Sequence, residues 1–433
     1  MRPLGTSVAA LVLAATAAST SAATSAERHH DPRPHDTRPA TPTLAARAVL
    51  PADTFVPGSE PSGSFTGNPA APFPGQPVQG FSGVHRLPGG DYLAMSDNGY
   101  GAKANSQDFQ LRVHRIRPHT DTGTIEVRGG FTLSDPDRLV PFATWRDGGC
   151  QAAAAAGTLP AGYTCPTRDR QLTGWDFDIE SMQLAPDGTI WFGEEFGPFL
   201  LHTDGRGRLL EAPLPTPGVK SPSNPTLAPG EQPNLANSKG FEGMAISPDG
   251  GRLHAMLEGP VAGDPATDLR VYDVRVGDHT ADHRRPTRFT GAYDVYRLES
   301  PTNAIGDHIA VDKHRFLTIE RDNGSGPTAA FKRIYLVDDR DRDHDGRLDK
   351  TLLVDLLDVA DPDGVGGLGD PFTFPYVTIE DVELIDDDTI AVLNDNNYPG
   401  TGGRGAGVKD VTEYLEIDLP QPLRADHRLL VGE

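Results

Sequence analysis

The chain has 433 residues, of which 37% are hydrophobic and 23% charged, enough apolar material for a sizeable core in one large domain or two small ones. Lys and Arg number 39 against 61 Asp and Glu, a formal net charge of −22, which argues against nucleic acid and anionic membranes as partners. An anionic substrate would need metal cations or a few placed bases to reverse the local field.

From the N-terminus, Met1 and Arg2 precede an Ala-rich apolar run that is too short to span a membrane. Residues 1–26 read as a cleavable secretory signal, which implies a secreted, extracellular protein. Residues 27–45 are rich in Pro, His, Arg and Thr and are expected to form a disordered linker, with the ordered domain over 46–433. Pro- and Gly-rich stretches at 57–80 and 213–233 read as long surface loops. The two cysteines, Cys150 and Cys165, suit a local disulfide in an oxidising compartment; two free buried thiols are the alternative.

From Phe81 onward a two-part pattern recurs: a residue pair opening one apolar segment, then an acidic or amide cluster closing the next. The copies are Phe81-Ser82-Gly83-Val84 with Asp97-Asn98, Ile179-Glu180-Ser181-Met182 with Glu194-Glu195, Phe241-Glu242-Gly243-Met244 with Glu258, and Ile379-Glu380-Asp381-Val382 with Asn394-Asp395-Asn396. A weaker copy near Ile305 keeps only a closing cluster, Asp322-Asn323, after Glu320-Arg321. Between the halves lie turn signals such as Pro186-Asp187-Gly188 and Pro248-Asp249-Gly250-Gly251, so each copy predicts a β-hairpin. Each interval holds about four short β-type runs, clearest at 243–246, 253–257, 269–276 and 292–298. Four antiparallel strands per repeat predict an all-β fold, a β-propeller with five repeats counted and six possible. The segment 134–173, with both cysteines, reads as an insertion. The last repeat reaches only three strands, and its fourth is expected from the N-terminus near Arg47–Val56, closing the ring.

The first strand of a propeller blade lines the channel, so Glu180, Glu242 and Glu380 are expected to converge, with the closing clusters Asp97-Asn98, Glu194-Glu195, Glu258, Asp322-Asn323 and Asn394-Asp395-Asn396 near the same mouth. Converging carboxylates repel unless neutralised, and an all-oxygen donor set without Cys or paired His suits Ca²⁺ better than zinc. Lys239, Arg321 and Lys103 are the nearby bases, each a candidate anion contact or an ordinary ion-pair partner. A separate run, Asp341-Arg342-Asp343-His344-Asp345-Gly346, has the alternating Asp and sixth-position Gly of a calcium loop, with Leu352 where a complete EF-hand has Glu. It is either a structural Ca²⁺ loop or a solvated turn. No Gly-x-Ser-x-Gly or His-Glu-x-x-His occurs, which disfavours a nucleophile elbow and a gluzincin site.

On Gly80-Phe81-Ser82-Gly83 with Ser96-Asp97-Asn98-Gly99, Asp178-Ile179-Glu180-Ser181-Met182 with Phe192–Gly197, Lys239–Met244, and Thr378–Val382 with Asn394–Asn397, the chain resembles the phytase-like family of secreted bacterial proteins. The resemblance implies a β-propeller related to calcium-dependent phytases, which hydrolyse phosphate monoesters with water oriented among Ca²⁺ ions and without a covalent intermediate. It implies that Glu180, Glu194, Glu195 and Glu242 hold calcium and that Lys239 contacts phosphate. An Asp-Asp-Pro-Ala segment is missing, and few bases stand ready to grip a polyphosphate.

Three functions remain open on these grounds. The first is a calcium-dependent hydrolase of phosphate or other esters, with Glu180, Glu194 and Glu242 on the metal and Lys239 or Arg321 steadying the oxyanion. The second is a lactonase-type hydrolase, and the third a non-catalytic propeller rigidified by calcium. Each is expected to be monomeric, with a small-molecule ester or phosphoester as partner in the first two.

Overall fold

Twenty strands, one short α-helix and one 3₁₀ turn account for the regular structure in a computed structural model that describes residues 39–277, 285–340 and 342–431, all within one compact unit. The expected signal at 1–26 and most of the expected linker lie outside the described residues. Strand β1, Thr43–Leu50, begins ahead of the expected domain start at Ala46. Four-stranded antiparallel meanders follow in chain order. They comprise β2 Phe81–Arg86, β3 Tyr92–Ser96, β4 Arg112–His119 and β5 Thr124–Thr132, then β6 Ile179–Leu184, β7 Ile190–Glu194, β8 Phe199–Thr203 and β9 Leu214–Pro215. The third is β10 Phe241–Ile246, β11 Arg252–Leu257, β12 Asp268–Arg275 and β13 Arg288–Arg297, and the fourth β14 Ala304–Ala310, β15 Arg315–Arg321, β16 Lys332–Asp338 and β17 Asp349–Asp355. The last has only β18 Ile379–Leu384, β19 Thr389–Asn394 and β20 Thr412–Asp418 from its own stretch of chain.

β1 supplies the missing strand, antiparallel to β20 from Thr43↔Asp418 to Leu50↔Thr412. The meanders are therefore five, and the chain ends close the ring. β1 also touches β5 of the first meander in parallel at Val49↔Thr124, which joins two meanders into one eight-stranded sheet. The first strands β2, β6, β10, β14 and β18 pack side by side in a cycle around a central axis. This is a β-propeller, closed by an N-terminal strand that starts four residues before the expected Arg47–Val56 and ends at Leu50.

The core follows from the alternation of strand side chains. Each blade is apolar on both faces, so apolar clusters form between blades: Phe192 and Met182 with Val113, Trp191 with Met244 and Leu253, Tyr296 with Ile305 and Phe316, Ile319 with Val382 and Val392, and Leu393 and Tyr414 with Phe81 and Val84. These five interfaces fix the inner strands against one another. The insertion at 134–173 carries the helix, Gly149–Ala156, and the Cys150–Cys165 disulfide, with Trp145 and Tyr163 in a small cluster of its own.

The closing seam has a polar lock. Glu413 on β20 is buried, accepts the Tyr376 hydroxyl at 2.7 Å, and pairs with Arg47 of β1 at 2.8 Å and Arg404 at 2.7 Å. Burial opposes its charge, but the two guanidinium groups win and hold the carboxyl down to about 2. Glu413→Gln is expected to lower stability by about 3–5 kcal/mol, the usual cost of breaking a buried pair, measured as a lower denaturant midpoint. An unchanged midpoint would mean that the seam is held elsewhere.

Candidate functional site

One irregularity repeats in every blade. The ladder between first and second strands slips by one residue at Phe81/Gly83, Ile179/Ser181, Phe241/Gly243, Ile305/His308 and Ile379/Asp381. A β-bulge leaves its extra residue unpaired and re-aims it. The extra residues are Ser82, Glu180, Glu242, Gly306 and Glu380, so the opening glutamates of the sequence pattern are bulge residues. A Cβ on Gly306 would lie 2.3 Å from the Ile379 carbonyl oxygen, so the fourth blade has no room for an acid there.

The register also defines the closing position. The residue after the second-strand partner is Asp97, Glu195, Glu258, Arg321 and Asp395 in blades one to five. The fourth blade thus contributes an arginine where the others contribute an acid. The expected Asp322 instead pairs with buried Lys332 at 3.0 Å.

These residues meet in a cavity of about 270 Å³. Its lining includes eight carboxylates, Asp97, Asp178, Glu180, Glu195, Glu242, Glu258, Glu380 and Asp395, against two bases, Lys239 and Arg321. Arg321 is 5% exposed and serves three glutamates: 3.2 Å to Glu380, and 3.6 Å to both Glu242 and Glu258. Lys239 at the rim pairs with Glu258. Lys103 turns aside, 4.3 Å over the Trp175 ring.

These two bases offset only part of the charge of eight carboxylates. Oxygens of Asp178, Glu180 and Glu195 lie within 4.8 Å of one another, as do those of Glu195, Glu242 and Glu258, so Glu195 belongs to both trios. Asp178 Oδ1, Glu195 Oε1 and Glu242 Oε1 are buried and accept no hydrogen bond among the described residues. Unpaired buried carboxylate oxygens are costly unless a proton or cation meets them. The donors are all hard oxygens, which suits Ca²⁺ and not a soft metal. The residues therefore fit a divalent cation on two independent observations, the clustering and the orphaned oxygens.

The titration behaviour agrees. Burial first, then Glu258, pushes Glu195 well above the usual carboxyl range; burial, then Asp178, does so for Glu180; burial, then Asp395, for Asp97. Burial, then Glu258 and Glu380, raises Glu242, with Arg321 working the other way. Asp395 is pushed up to about 8 by burial and Glu380.

Not every expected residue is there. Glu194 faces away from the cavity and accepts backbone N–H groups from Asp178, Phe196, Gly197 and Phe199, at 3.3, 2.6, 2.7 and 3.3 Å. Its oxygens are used up in shaping the turn, because neighbours along a strand alternate and Glu195 takes the inward place. Asp178 joins the site instead, two residues before the bulge residue Glu180 and on the same side. Asp341 lies outside the described residues. Its neighbours do not assemble: Asp345 turns to Arg297 at 3.4 Å, and Asp349 accepts the Arg342 backbone N–H at 2.9 Å. Asp343 accepts the Asp345 backbone N–H at 3.1 Å.

A second cavity of about 300 Å³ adjoins the first and shares Asp97, Gly101 and Asn397 with it.

Fold and site together define a β-propeller whose channel mouth gathers oxygen donors able to hold a cation. The chain belongs to the Phytase-like family, described as "Esterase-like activity of phytase", which matches residues 76–398. An uncharacterized secreted protein of Arthroderma benhamiae is 26% identical over 184 residues, 36% of each chain, so the chain aligns with about a third of that relative's length. Among solved structures, regucalcin from Agrobacterium tumefaciens, titled a calcium-binding protein, is 12% identical with a TM-score of 0.39, over 89% of this chain and 98% of that one. The PQQ-bound aldose sugar dehydrogenase from Streptomyces coelicolor is 13% identical with a TM-score of 0.35, over 88% and 99%. Among the described residues no helix is long and apolar enough to cross a membrane.

The raised carboxyls have a consequence for stability. A carboxyl whose folded value exceeds its unfolded one stabilises the fold below the unfolded value, near 4, and loses that contribution as pH rises through the folded value. Chelator-treated protein is therefore expected to melt at progressively lower temperature from pH 5 to pH 8, through the Asp395 value of about 8. Added Ca²⁺ should abolish that decline, because it replaces the protons. Calorimetric melting with and without Ca²⁺ checks this, and parallel curves would contradict it.

Proposed function

We propose that the protein is a secreted, calcium-dependent hydrolase of small ester substrates, working as a monomer at the acidic channel mouth. The observation that carries this reading is the pair of carboxylate trios sharing Glu195, with their orphaned oxygens. Asp178, Glu180, Glu195, Glu242 and Glu258 would hold the cation, which when bound neutralises negative charge and makes a nearby water more acidic. Membership of a family described by esterase-like activity supports the same reaction class.

The chain's own groups divide the remaining work. Asp97 and Glu180 are half-buried where Glu195, Glu242 and Glu258 are buried, so these two face an entering water. Glu180 belongs to a trio, which leaves Asp97 as general base. Gly99 donates its backbone N–H to Asp97 Oδ1 at 2.8 Å and fixes the carboxylate in place. The water oxygen adds to the ester carbonyl carbon while its proton passes to Asp97. The C–O bond to the alcohol then breaks, and Asp97 returns the proton to the departing oxygen. Lys239 pairs with Glu258 among the described residues, and 38% of its side chain is exposed, so it can turn to the oxygen on which charge develops. Arg321 is committed to three carboxylates, Glu242, Glu258 and Glu380, and acts by offsetting part of their charge.

Lys239 alone can turn to an anion, and one base among eight carboxylates does not match a polyphosphate, so carboxylic esters are favoured. Turnover of a panel of carboxylic esters and phosphomonoesters, with and without chelator, tests the proposal. Chelation should abolish activity, and Asp97→Asn should reduce kcat by about 100-fold or more while Ca²⁺ still binds. Chelator-indifferent turnover, or an Asp97→Asn enzyme of wild-type rate, would overturn it.

A further inference from the structure

The acid mouth lies at the starts of the five first strands, and a separate cavity lies at their ends. It measures about 360 Å³ and is lined from β2, β6, β10, β14 and β18 together, which places it on the propeller axis at the end opposite the mouth. The chain beyond β20 covers it. Ala425 donates its backbone N–H to Asp387 Oδ1 at 2.8 Å and Asp426 donates to the Val311 carbonyl at 2.8 Å; Leu429 then packs against two interblade clusters and, with Val431, lines the cavity. The walls are mostly aliphatic and the polar groups few. Gln183 is 3% exposed, and its amide makes no hydrogen bond among the described residues. Arg86 gives one N–H to the Ile385 carbonyl at 2.9 Å and pairs with no carboxylate among the described residues. Glu383 is the one carboxylate among the described lining residues, and His85 meets it at 3.2 Å. Burial opposes a charge on His85, but Glu383 overrides it and holds the imidazole above its usual value. Arg428 is spent on Asp426, at 3.0 and 2.7 Å.

We infer that this cavity is a binding site for a small apolar monocarboxylate, a short aliphatic chain ending in one carboxylate. The site stands whether or not the mouth hydrolyses esters. An arginine fork presents two parallel N–H donors to a carboxylate, and a primary amide adds a third. Arg86 is the one base in the described lining without an acid of its own, and His85 cancels the one acid that would repel an anion. The cavity is thus net positive in a chain of net charge −22, the reverse of the mouth. An amine would set its charge against Arg86, and an alcohol would leave the guanidinium without a counter-charge. A polyol would turn hydroxyls to aliphatic walls that cannot pair them. The buried Gln183 amide carries the cost of an unmade hydrogen bond, which a bound head group removes. At about 360 Å³ the space sits at the small end of ligand pockets, suited to one short branched chain.

The test is equilibrium binding to the full chain, read by ligand-observed NMR titration in chelator and again in saturating Ca²⁺. The probe is 3-methylbutanoate, with 3-methylbutan-1-ol and 3-methylbutylamine as counter-probes of the same shape. The carboxylate should bind in chelator, where the mouth is acidic and repels it, and should still bind in Ca²⁺; neither counter-probe should compete. Arg86→Gln should weaken binding by about tenfold, Arg86→Lys should recover part of the loss, and Gln183→Leu should weaken binding by about threefold. A melting midpoint near that of the parent shows that a variant is folded, and where Arg86→Gln melts early, Gln183→Leu and the counter-probes decide. Binding that appears only with Ca²⁺ would put the carboxylate on a cation at the mouth and overturn the inference. So would no binding at all, equal binding of the amine or the alcohol, or carboxylate binding indifferent to both Arg86→Gln and Gln183→Leu. Monocarboxylate binding with no ester turned over would remove the hydrolase reading and leave this site standing, and ester turnover with no such binding would do the reverse.

Discussion

Carboxylates crowded into a poorly hydrated space repel one another, and the rest of this protein is arranged around that fact. At an effective dielectric near 20, two unit charges about 5 Å apart repel by about 3 kcal/mol, and eight acids line one small cavity. No fold tolerates that unless protons, bases or cations meet the charge. Arg321 does so in part, from the one blade in which Gly306 leaves no room for an acid and the closing position carries a base. Asp178 Oδ1, Glu195 Oε1 and Glu242 Oε1 still accept no hydrogen bond among the described residues, Glu242 Oε1 standing 3.6 Å from Arg321. The ring is therefore asymmetric, four blades giving an acid at the closing position and the fourth blade a base.

What holds the acids in place is apolar. Five interblade clusters clamp the inner strands, and the bulge on each inner strand is repeated in the same place, so a small displacement of any blade would move a ligand. Closure by β1 matters for the same reason, because β18, which carries Glu380, belongs to the blade that the N-terminal strand completes. The lock at Glu413 and the mouth at Glu380 are thus parts of one blade, one structural and one functional.

Much of this was legible in the sequence because repetition carries information that single residues lack. Glu180, Glu242 and Glu380 recur after an apolar residue, and recurrence is what a shared bulge produces. The fourth strand of the last blade could be read from a count that fell one short. Glu194 and Glu195 could not be told apart, since adjacent acids differ only in the face to which the local register turns them. Asp178 occurs in one blade and so leaves no repeat signal. In the fourth blade, Arg321 at the closing position is hidden by Asp322-Asn323, which looks more like the other clusters but is one residue late.

The central claim is that the orphaned carboxylate oxygens are cation ligands. Anomalous diffraction from a crystal of the full chain grown with Ca²⁺ tests it most directly. A peak bound by Asp178, Glu180 and Glu195, or by Glu195, Glu242 and Glu258, is the result the account predicts. Density empty of any ion at both trios under saturating Ca²⁺, with the acids bonded to one another through shared protons, would contradict it.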